Sequence, residues 1–175
     1  MNKVLKIATV LTWINMIIWS LITLMAVFLV LASGTVAALI VLIFPTAIIL
    51  HSYASFQLQK SIKNPAIPLN SQTSTGIRFI GFVALFAGIT TLIPGIGIVQ
   101  HPQEYLNQLQ ESLKSFQEQM HSNKPLVPPT IAQIRLTGIL VALIGLSVAV
   151  NVNLNFRLLR WYYFLRNNSN NPGEK

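Results

Sequence analysis

The chain has no cysteine and no aspartate, and its only acidic residues are four glutamates. Without cysteine there is no disulfide, no thiolate metal ligand and no cysteine nucleophile. Charge of either sign is scarce. Only 9% of residues are charged against about 25% in a soluble domain, while 53% are hydrophobic and the mean hydropathy is +0.59. Glu104, Glu111 and Glu118 lie in one polar stretch and Glu174 near the end. No carboxylate therefore falls inside an apolar run, which argues against a carboxylate proton relay or a cation pump.

Motifs are missing as well. There is no glycine-rich phosphate loop, no serine nucleophile elbow and no HExxH. Gly95-Ile96-Gly97 stands where a helix should end, whereas a nucleotide fingerprint opens one. Of the three histidines, His101 and His121 flank the polar stretch and His51 lies in an apolar run. None has neighbouring ligands at metal spacing. With no acid–base pair, nucleophile or metal set, the chain is expected to be a non-enzyme without cofactor or metal. The net charge of +8 comes from twelve Lys and Arg. They flank the apolar runs and form no patch interleaved with exposed aromatics, so nucleic acid is not an expected partner.

What is present is long apolar sequence. Four runs, at about residues 7–31, 35–57, 77–99 and 134–156, each exceed the roughly 20 residues that cross a bilayer as helix. The first is too long for a signal-peptide core of about 7 to 15 residues and reads as a retained span. The expected architecture is all-α: one four-span membrane domain over residues 1–175, a four-helix bundle. Ala32-Ser33-Gly34 leaves room for only a tight hairpin between the first two spans. Pro45 falls in mid-run and should kink the second. Residues 59–76 read as a loop, with Ser71, Thr73 or Ser74 capping the third helix. Pro94-Gly95 with Gly97 should end or bend that helix.

Residues 102–120 differ in kind. Leu106, Leu109, Leu113, Phe116 and Met120 recur at threes and fours in a polar sequence, which predicts an amphipathic helix rather than a span. It would lie on the membrane surface or its own bundle, pair with a second copy, or meet a partner protein. Residues 121–129 break the pattern with three prolines, and Thr130 with Gln133 has capping-box spacing before the fourth span.

The loops set an orientation. With the N-terminus cytoplasmic, Lys3, Lys6, Lys60, Lys63, Arg78, Arg157, Arg160, Arg166 and Lys175 are inside and Lys114, Lys124 and Arg135 outside, as the positive-inside bias requires. Both termini are then cytoplasmic in a multi-pass protein of the cell membrane, the amphipathic helix is extracytoplasmic, and Trp161-Tyr162-Tyr163-Phe164 meets the inner interface.

Two sets of residues stand out within the spans. Gly81, Ala84, Gly88, Thr91 and Gly95 share one face of the third helix, and Gly138, Ala142, Gly145 and Ala149 one face of the fourth. Small faces let helix backbones approach closely in lipid, so these are expected to be facing seams of an antiparallel pair. Asn15, His51, Asn151 and Asn155 form a candidate polar cluster in the cytoplasmic third of the membrane, with Asn153 pointing elsewhere. Such a cluster fixes helix register through hydrogen bonds, or it holds a polar ligand, a cation or a proton. The first alternative describes a structural or accessory membrane protein whose partners are lipid, a second copy or another membrane protein. The second describes a small transporter or channel subunit.

Overall fold

The computed structural model describes residues 2–34, 36–119 and 127–170, and every element among them is helical. They are α1 (Asn2–Ser33), a 3-10 segment (Val36–Leu42), α2 (Ile43–Lys63), α3 (Ser71–Gln100), α4 (Pro102–Gln119) and α5 (Ile131–Asn170). Four stretches are long and apolar enough to cross a membrane: Lys3–Ala32, Leu39–Lys63, Ser71–Gln100 and Ile131–Asn167. At 1.5 Å per residue, the 32 residues of α1 extend about 48 Å, against a hydrocarbon core of about 30 Å. Beyond Trp19 none of its described side chains is buried, and Met25, Phe28, Leu29 and Leu31 are each about two-thirds exposed or more. In water such a face would be an aggregation site. In a bilayer it is ordinary helix surface, as a multi-pass membrane protein requires.

Gly34 ends α1 with φ +63°, a conformation that a side chain strains. Pro45 does not stand in the interior of an α-helix, the place in which it should kink one. Proline lacks the N–H that an α-helix interior needs, and its ring clashes with the carbonyl four residues back. The chain therefore runs as 3-10 helix to Leu42 and becomes α-helical only at Ile43, which puts Pro45 in the first turn. Pro94, in contrast, is accommodated inside α3, which continues to Gln100.

The loop between α2 and α3 is shorter than the sequence suggests. Helix α2 continues through Gln59 to Lys63, with Lys60 and Lys63 favourably placed in its last turn. Asn64 then accepts from the N–H of Ala66 at its side chain (3.2 Å) and from that of Ile67 at its carbonyl (3.0 Å). The cap of α3 is not one of the three hydroxyl residues. Asn70 Oδ1 accepts from the N–H of Gln72 at 2.9 Å, one turn ahead of the apolar run. At α5 the capping box forms: the Thr130 N–H donates to Gln133 Oε1 (2.8 Å), and the Gln133 N–H donates to Thr130 Oγ1 (3.3 Å).

The chain divides into two compact units, one within residues 1–88 and 147–175, the other within 89–146. In the first, Leu5 and Ala8 of α1, Leu58 of α2, Leu69, Ile77 of α3 and Leu158 and Leu159 of α5 form one buried cluster. The start of α1 thus meets the end of α2 and the late part of α5, so α1 runs opposite to both. Two tyrosines fasten this end. Tyr162 Oη accepts from the Leu69 N–H at 2.9 Å, and Tyr163 Oη donates to Ser74 Oγ at 2.7 Å. In the second unit α4 turns off the end of α3 at His101, whose N–H donates to the Gly97 carbonyl at 2.8 Å. Pro102 and Leu106 are buried, while Leu109 and Phe116 are exposed. Met120, the last apolar position expected of this helix, lies outside the described residues, as do His121, Lys124 and Lys175.

Candidate functional site: a buried polar ring

Asn15, His51, Asn151 and Asn155 are all buried in the first unit, each at most 2% exposed. Asn153, two residues from each of the last two asparagines, is exposed on another face of α5. Three of the four cluster residues belong to hydrogen-bonded assemblies that join helices. Asn15 and Ser147 bond reciprocally: Ser147 Oγ donates to Asn15 Oδ1 at 3.0 Å, and Asn15 Nδ2 donates to the Ser147 carbonyl at 3.3 Å. This ties α1 to α5. One helical turn away, Gln59, Thr12, Asn151 and Asn155 close a ring across α1, α2 and α5. Gln59 Nε2 donates both to Thr12 Oγ1 (3.0 Å) and to Asn155 Oδ1 (2.9 Å). Thr12 Oγ1 donates onward to Asn151 Oδ1 at 3.0 Å, and Asn155 Nδ2 reaches the same oxygen at 3.0 Å.

The direction of these bonds matters. Both paths round the ring start at the Gln59 amide nitrogen and end at the Asn151 amide oxygen. An amide neither gains nor loses a proton near neutral pH, so the ring has a double donor at one corner and a double acceptor at the opposite one. It is a clasp in form, with no titratable member.

His51 stands beside the ring rather than in it. Ser55 Oγ lies 3.3 Å from His51 Nε2, one turn along the same helix, and either group can donate. The imidazole meets the Phe156 ring edge-on at 6.3 Å between centroids, with the backbone of Ile77 alongside. Its Nδ1 has no hydrogen-bond partner of good geometry among the described residues, and the same holds for Ser52 Oγ, Gln59 Oε1 and Trp19 Nε1.

Sequence reasoning misses Gln59 and Ser147. Gln59 precedes Lys60 and reads as the start of a loop, although His51, Ser55 and Gln59 are spaced by four and so share a helix face. That spacing is the available signal. Ser147 carries none, since a serine in an apolar helix usually bonds its own backbone.

Of the seam residues, Gly81, Ala84, Gly88, Gly95, Gly138 and Gly145 are buried, and Thr91, Ala142 and Ala149 half-buried. In the second unit α3 and α5 come together with very little between them. A Cβ on Gly95 would collide with the Ala142 backbone nitrogen, lie 2.8 Å from its Cα and 3.0 Å from its Cβ. One on Gly138 would lie 2.8 Å from Ile98 Cγ2 and 3.0 Å from the Gly95 carbonyl. In the first unit the small face of α3 meets an aromatic instead. A Cβ on Gly81 would lie 2.6 Å from the Phe156 ring and 3.1 Å from His51 Cε1.

No protein-family model, curated protein or solved structure matches this chain.

Proposed function

We propose that the protein is a non-enzymatic multi-pass membrane protein, a structural or accessory subunit that acts through helix contacts in the bilayer. Both termini and the loop between α2 and α3 are cytoplasmic. Helix α4 is extracytoplasmic and amphipathic, with Leu109, Leu113 and Phe116 set towards the headgroups and its first turns against its own unit. The observation that carries the reading is the closed ring of Gln59, Thr12, Asn151 and Asn155. Its four bonds close on one another across three helices, which is what register-fixing requires, and Gln59 Oε1 is the ring acceptor left over. A proton path would need titratable groups in series, and among the described residues His51 is the one titratable side chain buried near the ring.

One observation favours the other reading, a small transporter or channel subunit. His51 Nδ1, Ser52 Oγ and Gln59 Oε1 are buried on one helix with no protein partner of good geometry among the described residues, and polar atoms left over in a span are costly. Flux measurement separates the two. The full-length protein in liposomes is expected to pass protons, sodium and potassium no faster than empty liposomes. Flux above that background, lost in His51→Gln, would replace the structural reading with the transport one.

A further inference from the structure

The described part of the first unit carries eight cationic side chains, Lys3, Lys6, Lys60, Lys63, Arg78, Arg157, Arg160 and Arg166, and no carboxylate side chain. Two of the arginines share a cavity. Arg78 of α3 and Arg160 of α5 line a groove of about 300 Å³ whose other walls are Phe82, Phe156 and Leu159.

The groove is built rather than incidental. Its aromatic wall is fixed: the Phe82 and Phe156 rings lie 5.5 Å apart, and Phe156 is wedged between His51 and Gly81, where the missing side chain makes room for it. Arg78 is steered too. Its guanidinium sits 5.9 Å from the centre of the Tyr163 ring, which Ser74 holds by its hydroxyl. Arg160 also borders a second cavity, of about 330 Å³, with Arg157, Trp161 and Phe164.

We propose that this groove holds an anionic phospholipid, its phosphate between Arg78 and Arg160 and the start of an acyl chain along Phe82, Phe156 and Leu159. Guanidinium groups present paired N–H donors that match phosphate oxygens, and a weakly hydrated cation is readily taken into such contact. The apolar walls are continuous with the cationic mouth. That pairing of chemistries fits a phospholipid, whereas a free phosphate would use the arginines and leave the aromatic wall idle. Indole and phenol rings beside the mouth are the side chains favoured at headgroup level. The proposal is independent of whether the buried ring is a clasp or part of a pathway.

The test uses the full-length protein in a mild non-ionic detergent, titrated with phosphatidylglycerol or phosphatidylcholine, with bound lipid counted by native mass spectrometry. Phosphatidylglycerol should bind in preference to phosphatidylcholine, and Arg78→Gln with Arg160→Gln should lower its affinity by about fivefold for each arginine removed. Lys60→Gln with Lys63→Gln, a pair outside the groove, should leave it nearly unchanged. Equal loss in the two double variants would mean diffuse attraction and overturn the site. Displacement of the lipid by millimolar inorganic phosphate would make the groove a plain anion site and overturn the lipid assignment. If the glutamine pair fails to fold, Arg78→Lys with Arg160→Lys keeps the charge and loses the planar fork. Affinity for phosphatidylglycerol must then still fall, and an unchanged value contradicts the proposal.

Discussion

Gln59 is the residue on which the buried ring depends, because it supplies two of the ring's four bonds from a single nitrogen. Interhelical hydrogen bonds in membranes contribute about 0.6 kcal/mol on average and up to about 1.7. Gln59→Leu should therefore cost about 1 to 2 kcal/mol in reversible unfolding in mixed micelles, on the scale of two such bonds. The Asn155→Leu change should add less to it than it costs alone, since both remove the same bond. His51→Leu should cost less than Gln59→Leu, for its bond is to Ser55 of its own helix, and His51→Gln should be tolerated. Additive losses for Gln59 and Asn155 would mean that the ring is not closed. At this scale the sequence is legible where a polar residue interrupts apolar sequence, as Asn15, His51, Asn151 and Asn155 do. It is illegible at Gln59, where the adjoining Lys60 makes a buried amide look like the start of a loop.

Among the elements, α3 offers two glycines that make opposed demands. Gly76 has open surroundings, its nearest would-be contact being Ile80 Cδ1 at 3.9 Å. Gly76→Ala should stabilise the helix by a few tenths to about 1 kcal/mol through propensity alone. Gly95→Ala gains the same propensity, but its methyl group strikes the backbone of Ala142, which cannot move without parting α3 from α5. A net loss of about 1 to 3 kcal/mol is expected. Thermal melts of the two variants in one detergent check the pair, and equal shifts would show that the seam is not close-packed. Leucine at Ala87 or Ser147 is no neutral comparison, although spacing alone puts both off the seam. Ala87 is 2% exposed, and Ser147 bonds Asn15 twice.

The existence of the long helices can be read from hydrophobic run length, and the start of α5 from Thr130 and Gln133. Their ends are harder. Sequence misplaces the start of α3 because Ser71, Thr73 and Ser74 offer three caps beside the one used, Asn70, and because helix persists through polar residues once tertiary contacts cover them. The Tyr163 bond to Ser74 is one such contact. Position in the apolar run points to a kink at Pro45, but the effect of a proline depends on its position in the α-helix, which the 3-10 segment moves.

For the whole molecule, the claim is that four helices cross a bilayer with both termini on one side and a polar ring, shut to water, tying three of them together. The chain's lack of cysteine makes a direct measurement available, since every thiol introduced is the only one present. Ser71 and Ser115 are exposed, at the start of α3 and on α4, and Ser55 is fully buried beside the ring. Single variants Ser71→Cys, Ser115→Cys and Ser55→Cys are treated with an impermeant thiol reagent, first in intact cells, then in opened membranes, then after denaturation. The account predicts labelling of position 115 in intact cells, of position 71 once membranes are opened, and of position 55 only after denaturation. Labelling of position 71 but not 115 in intact cells would invert the orientation. Labelling of position 55 in the native protein, from either side, would show that water reaches the ring and contradict the structural reading itself.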